Sequence, residues 1–160
     1  MEFKGVFEIL KPMTDGRVID LKLTSNKDLL FLGSKSKMTQ IFINLFKNAF
    51  DHGKLNQEIR VDIEELEENI CITFENTGEF ISTKNLLVIF KRFSQSINSK
   101  GSGIGLDIIN ECVKDHNGTL EAFNKEIGPC FKIILPKAKI SNLIQIQHNI
   151  AQISKKISEY

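Results

Sequence analysis

The chain has almost no excess charge of either sign: 21 basic against 20 acidic residues among 160 leave a net charge of +1. With no basic stripe to follow a phosphate backbone, nucleic acid is not an expected partner. Long hydrophobic runs are missing too. The apolar stretches are a few residues long, far short of the ~20 that cross a bilayer, and the opening MEFKGVFEILK has charges where a secretory leader has its apolar middle. The expected setting is therefore cytoplasmic, with no direct membrane insertion. Cysteine is scarce, with Cys71, Cys112 and Cys130 far apart and each inside an apolar-patterned segment. That number and spacing argue against a disulfide framework or a thiolate metal site, and for buried free thiols. Repeats and low-complexity tracts are absent, and the length suits about one domain with a proper core. The first shift in composition comes at Pro136.

What is present is periodic. Phe3, Val6, Phe7 and Leu10 have helical spacing, broken at Thr14-Asp15-Gly16. RVIDLKL alternates at Ile19, Leu21 and Leu23 as a half-buried strand, and LLFL after Asn26-Lys27-Asp28 is a candidate second strand. A long helix follows, with Met38, Ile41, Phe42, Leu45, Phe46, Ala49 and Phe50 on one face and Gly53 as its stop. Ile59, Val61 and Ile63, then Ile70, Ile72 and Phe74, alternate on either side of ELEEN and predict a hairpin. NLLVIFKRF reads as a short helix. A further helix places Ile108, Ile109, Cys112 and Val113 on its apolar face and ends at Asn117-Gly118, before a last hairpin of TLEAFN and CFKIIL. The predicted fold is α+β, a two-layer sandwich whose mostly antiparallel mixed sheet is covered on one face by helices.

Three groups of residues do not belong to such a core. KGSGIGL, Lys100 to Leu106, sets Gly101, Gly103 and Gly105 on alternate positions at the mouth of a helix. Its spacing fits neither the P-loop nor the dinucleotide fingerprint, yet a bare loop running into a helix N-terminus, where amides and dipole favour an anion, can also cradle phosphate. Asn44, Asn48 and His52 recur every four residues and form one stripe beside the apolar face of the long helix. Asparagine is a poor helix former, so these residues either cap or bridge neighbouring elements or offer amide oxygens to a hard cation such as magnesium. In ENTGEF an apolar strand ends at Asn76 and Gly78. That is either a plain turn or a polar edge and a bare backbone for a flat ring.

Taken in order, NLFKNA at 44–49, NTG at 76–78, FKRF at 90–93, GSGIGL at 101–106 and the closing HNGTLEAFNKEIGPCFKIILP make a chain that resembles the ATP-binding catalytic domain of sensor histidine kinases. These belong to the wider superfamily of heat-shock chaperone, gyrase and MutL ATPases. The resemblance spans about residues 1–137 and leaves 138–160 as a C-terminal amphipathic helix or linker. It implies ATP and Mg2+ as cofactors, with Asn48 as magnesium ligand and Asn44 one turn earlier beside the phosphates. It also implies that Asn76 accepts the adenine amino group next to Gly78, and that Phe90 and Phe93 anchor a short lid, Ser94 to Lys100. Gly101, Ser102, Gly103, Ile104, Gly105 and Leu106 then lay backbone amides on the phosphates. His52 is expected to touch nucleotide or cap its helix, and His116 to be structural. The implied reaction is transfer of the γ-phosphoryl to a histidine on a helical-hairpin phosphoacceptor domain, in cis or in trans, with a response regulator downstream.

Several positions depart from the family pattern. Asn76 stands where Asp is usual and Phe80 where a second glycine is usual, which predicts weaker adenine selectivity because a carboxamide can donate as well as accept. Asp51 and Gln95 replace a common Lys and Arg, so charge compensation during transfer would fall to Lys47, Arg92 or Lys100. Two other readings follow: an anti-sigma-factor-type serine kinase, which NAFDHG also resembles, and a nucleotide-binding adaptor with little catalysis. The acceptor hairpin is normally expected before such a domain, so either the chain is a fragment or the partner is another molecule; His148 is expected on one helix, which by itself cannot make a hairpin. Leu143, Ile146, Ile150, Ile153 and Ile157 form a two-heptad seam in the tail, expected to pack on its own domain, a second copy or a linker.

Overall fold

All seven apolar positions of the long helical pattern, from Met38 to Phe50, are buried. The computed structural model describes residues 18–25, 33–91 and 104–137, with the single positions 8, 12 and 149. Within them run β1 (Val18–Ser25), α1 (Lys35–His52), β2 (Asn56–Glu65), β3 (Asn69–Asn76), α2 (Thr83–Leu86), α3 (Gly105–Lys114), β4 (Thr119–Asn124) and β5 (Pro129–Pro136). The expected helix at Phe3 to Leu10, the strand LLFL, the lid, Phe93, Lys100, Gly101, Ser102, Gly103 and the tail seam with His148 lie outside the described residues.

The strands form one sheet in the order β1-β2-β3-β5-β4. β1 runs parallel to β2 and the other three pairings are antiparallel. Alternation decides which face is dry. Ile59 and Val61 of β2, Ile70, Ile72 and Phe74 of β3, and Phe131, Ile133 and Leu135 of β5 share one core with the apolar faces of α1 and α3. The opposite face carries Arg60, Asp62, Thr73 and Lys132. There Arg60 is hydrogen-bonded to Glu58, which Lys22 also contacts at 2.7 Å, and these two cations hold the Glu58 carboxyl below its usual range. Cys71, Cys112 and Cys130 are buried free thiols, as their setting predicts.

Both large helices have identifiable ends. The Ser34 side chain caps α1 by accepting from the Lys37 amide at 3.3 Å. Gly53 stops α1 in extended backbone, at φ −82° and ψ 173°. A Cβ there would lie 2.3 Å from the Ala49 carbonyl oxygen, so close approach rather than a left-handed turn demands glycine. α3 closes with Asn117 at φ 55° and with the Gly118 amide donating to the Val113 carbonyl at 3.0 Å. The segment NLLVIFKRF departs from the expected helix: α2 starts at Thr83, capped by Ser82, and gives way to turns after Leu86. Four residues are too few to sustain a helix whose side chains are not buried.

Two contacts place α1. The Phe46 ring meets Phe74 of β3 edge-on, with centroids 5.2 Å apart and planes at 82°. At its other end, the Ser34 amide donates to Nε2 of the buried His116 at 3.1 Å, while His116 Nδ1 lies 2.6 Å from the Cys112 carbonyl oxygen. His116 therefore joins the end of α3 to the start of α1 with both ring nitrogens occupied, a structural role as expected.

Candidate nucleotide site

The polar stripe of α1 links two places on the fold. Near its middle, half-buried Asn44 donates through Nδ2 to the Gln40 carbonyl at 2.8 Å. Its Oδ1 lies only 3.2 Å from where a Cβ on Gly105 would stand. Glycine at the mouth of α3 is thus the residue that lets this helix come up against the stripe. Ile104, the residue that opens α3, provides no side-chain cap, so no side chain of the cap occupies the first-turn amides.

The C-terminal end of the stripe meets the end of β3. Gly53 and Gly78 form an isolated antiparallel bridge, and a Cβ on Gly78 would sit 3.5 Å from the His52 carbonyl and 3.2 Å from Asn76 Nδ2. Asn76 is 2 % exposed; its Nδ2 donates to the Thr77 carbonyl at 3.3 Å, and its Oδ1 is buried without a hydrogen-bond partner. A buried carbonyl oxygen left unpaired is costly unless something arrives to donate to it.

The loop around Asn76 is held from three sides. Thr77 bonds Glu58 of β2 through backbone and hydroxyl, its amide donating to the Glu58 carbonyl at 2.9 Å. The Asn124 side chain pairs with Ile81 as a strand would, accepting from its amide at 2.8 Å and donating to its carbonyl at 2.9 Å. Behind, the buried Glu75 carboxylate accepts from the Ile127 amide at 2.9 Å and so fixes the β4–β5 turn. Gly128 of that turn presses on the site: a Cβ on it would be 2.3 Å from the Asn76 carbonyl oxygen and 2.7 Å from the Gly78 nitrogen.

Asn44, Asn48, His52, Asn76, Gly78, Gly105 and its neighbours Ile104 and Leu106 therefore gather along one side of α1. Asn44 and His52 are separated by eight residues, about 12 Å of helix axis. That is a strip with an amide-rich helix mouth toward one end and a buried hydrogen-bond acceptor at the other. Asn48 lies between them, half-buried, and His52 is exposed. Phe90 is half-buried against the core, whereas Phe80 is 63 % exposed. Lys47 and Asp51 lie on exposed positions of α1. Among the described residues no group of three or more His, Cys, Asp or Glu is arranged to hold a metal ion. Gly128 and Asn124 were not singled out from the sequence; the glycine beside Pro129 was the available signal for the first, and the second had none.

Residues 33–139 match the family of histidine kinase-, DNA gyrase B-, and HSP90-like ATPases. The chain belongs to this family. Within it the chain is similar to sensor histidine kinases. It is 29% identical over 143 residues to the sensor histidine kinase YvrG of Bacillus subtilis (strain 168), covering 84% of this chain and 24% of that protein. It is 30% identical over 138 residues to the C4-dicarboxylate transport sensor protein DctB of Rhizobium meliloti (strain 1021), covering 84% of this chain and 22% of that protein. Among solved structures, the catalytic domain of histidine kinase ThkA superposes with a TM-score of 0.76 at 26% identity, over 84% of this chain and 90% of that domain. The chain is thus an ATP-binding catalytic domain of the sensor histidine kinase type, as its motifs imply, with the expected α+β sandwich. It spans about a quarter of the length of the curated relatives it matches. No helix among the described residues is long and apolar enough to cross a membrane.

Proposed function

We propose that the chain binds Mg-ATP along the α1 strip and transfers its γ-phosphoryl to a histidine nitrogen of a phosphoacceptor hairpin, in cis or in trans, in a cytoplasmic two-component pathway that ends in a response regulator. The observation that carries this reading is the unpartnered, buried Oδ1 of Asn76 at one end of a strip whose other end meets the mouth of α3. The adenine amino group donates to that oxygen, Gly78 and His52 flank the base, and the first-turn amides of α3 from Gly105, with Ile104, Leu106 and the preceding Gly101 to Gly103, receive phosphate oxygens. Phe90 and Phe93 anchor one end of the lid. The catalytic domain ends near residue 137, and 138–160 forms a helix or linker beyond it.

With no acidic cluster among the described residues, the donor set suits a cation whose charge the phosphates already offset: Asn48 would hold Mg2+ through its amide oxygen, with Asn44 beside it. Bound there, the ion supplies charge neutralisation of the phosphate oxygens. The protein's own share of the work is positioning. Asn76 fixes the base, the α3 amides fix the phosphates, and the γ-phosphorus faces outward. There the bond to the bridging oxygen breaks as the bond to the imidazole nitrogen forms, and ADP leaves.

Incubation of the chain with labelled ATP, Mg2+ and a separately supplied histidine hairpin tests the proposal. Acid-labile label on the hairpin, lost in an Asn48→Ala variant, is the expected result. Asp51, exposed where the family often carries Lys, favours a second reading, an adaptor that binds nucleotide with little transfer. Tight ATP binding with an unlabelled hairpin would select it.

A further inference from the structure

Gln57 is 3 % exposed, and both its Oε1 and its Nε2 are buried without a hydrogen-bond partner. It shares this condition with Asn76 Oδ1, and the register puts the two together. Ile59 pairs with Asn76 across β2 and β3, so Gln57, two residues earlier on the same face of β2, is the diagonal neighbour of Asn76, about 7–8 Å away along the sheet. Parity places both side chains on the helix-facing side, with Ile59 and Val61 on one strand and Ile72 and Phe74 on the other.

The space that Gln57 occupies is made for it. Its Oε1 lies 2.1 Å from the point where a Cβ on Gly53 would stand, and Gly53 bridges to Gly78. Any side chain at position 53 would displace the carboxamide. The unpartnered Gln57 carboxamide and the unpartnered Oδ1 of Asn76 thus flank one glycine-glycine bridge at the base end of the strip. A side chain needed only to fill this space would be apolar, because a buried amide with no partner costs stability. A carboxamide offers a donor and an acceptor side by side, the pattern that pairs with the polar edge of a purine.

We propose that Gln57 is a second base-reading residue of the nucleotide site, forming with Asn76 the polar floor that binds the hydrogen-bonding edge of the purine; this rests on the nucleotide-site reading above. Asn76 takes the exocyclic group, and Gln57 engages the adjoining ring nitrogen, directly or through one water. Because the Gln57 amide can present either atom, it serves adenine and guanine alike.

Calorimetry on the full chain with Mg-ATP and with Mg-tripolyphosphate, which has no base, separates the possibilities. Gln57→Met keeps the volume and removes both hydrogen-bonding atoms. It is expected to weaken ATP binding about tenfold and to leave tripolyphosphate binding within about twofold. In the unmutated 15N-labelled chain, the Gln57 side-chain amide resonances are expected to shift with ATP and not with tripolyphosphate, which needs no folded variant. Wild-type ATP affinity in Gln57→Met, or equal losses for both ligands, would overturn the proposal; if Asn76→Ala still lost ATP, the nucleotide site itself would stand. An unmutated chain that takes up no Mg-ATP would remove both.

Discussion

Gly105 and Asn44 meet so closely that a single methyl group on the glycine would stand 3.2 Å from the asparagine Oδ1. Two residues more than sixty positions apart are thereby brought to contact at the point where phosphate is expected. The contact separates stability from binding. Alanine is a better helix residue than glycine by roughly 0.5–1 kcal/mol, so Gly105→Ala should keep or slightly raise the melting temperature. It should also push the Asn44 carboxamide aside and weaken Mg-ATP binding. Parallel thermal melts and calorimetry check both halves, and unchanged affinity would detach Asn44 from the phosphates.

At Asn76, replacement by Asp converts a group that can accept or donate into one that only accepts. The Asn76→Asp variant should favour ATP over GTP more strongly than the unmutated chain does, measured as the ratio of the two dissociation constants. Equal losses for the two nucleotides would contradict base reading by this side chain.

Gly128 supports the site from behind. A Cβ there would clash with the backbone of both Asn76 and Gly78, and backbone cannot rotate out of the way as a side chain can. Gly128→Ala is expected to cost ~1–3 kcal/mol of stability, as overpacking does, and to reduce ATP affinity although residue 128 need not touch nucleotide. Urea unfolding and a binding titration on the same preparation test the pairing of the two losses.

His116→Ala should act on stability. It leaves the Ser34 amide and the Cys112 carbonyl without their ring partners, a loss of ~1–3 kcal/mol. The melting temperature should fall by several degrees, while ATP affinity below that temperature stays close to that of the unmutated chain. A large drop in affinity with no change in melting would assign His116 to the site instead.

Cys130 supplies a pH signature. Burial, with the Glu75 carboxylate beside it, pushes its thiol up to about 12 from the ordinary 9.0. A raised folded value means that the native state keeps the proton longer than the unfolded chain. The contribution is therefore complete below pH 9 and is lost as pH climbs from there toward 12. Stability measured along this alkaline range should fall, and the slope should flatten in Cys130→Ala. Because the thiolate is the reactive form, Cys130 should also resist alkylation at neutral pH until the chain is unfolded.

How much of this was readable beforehand differs from element to element. The α1 helix was, because a 3.6-residue period writes the buried face directly into the spacing of Met38 to Phe50. So were β2 to β5, whose alternation follows from side chains pointing to opposite faces. The ordered motifs at Asn44–Ala49, Asn76–Gly78 and Gly101–Leu106 were enough to place the chain in its family. Periodicity says which way a residue faces and never which strand lies next to it. The insertion of β5 between β3 and β4, and the parallel pairing of β1 with β2, had to come from the folded molecule. Glycines carry the same ambiguity. Gly53 reads as a helix stop, yet its need for a bare Cα comes from Ala49 and Gln57 approaching it, and Gly128 is bare because Asn76 and Gly78 lie behind it. Gln57 looks like one more polar residue near a strand start. Alternation with Ile59 and Val61 turns it inward, but only the register puts it beside the unpaired Oδ1 of Asn76, because local sequence encodes direction and spacing, while long-range packing chooses the neighbours.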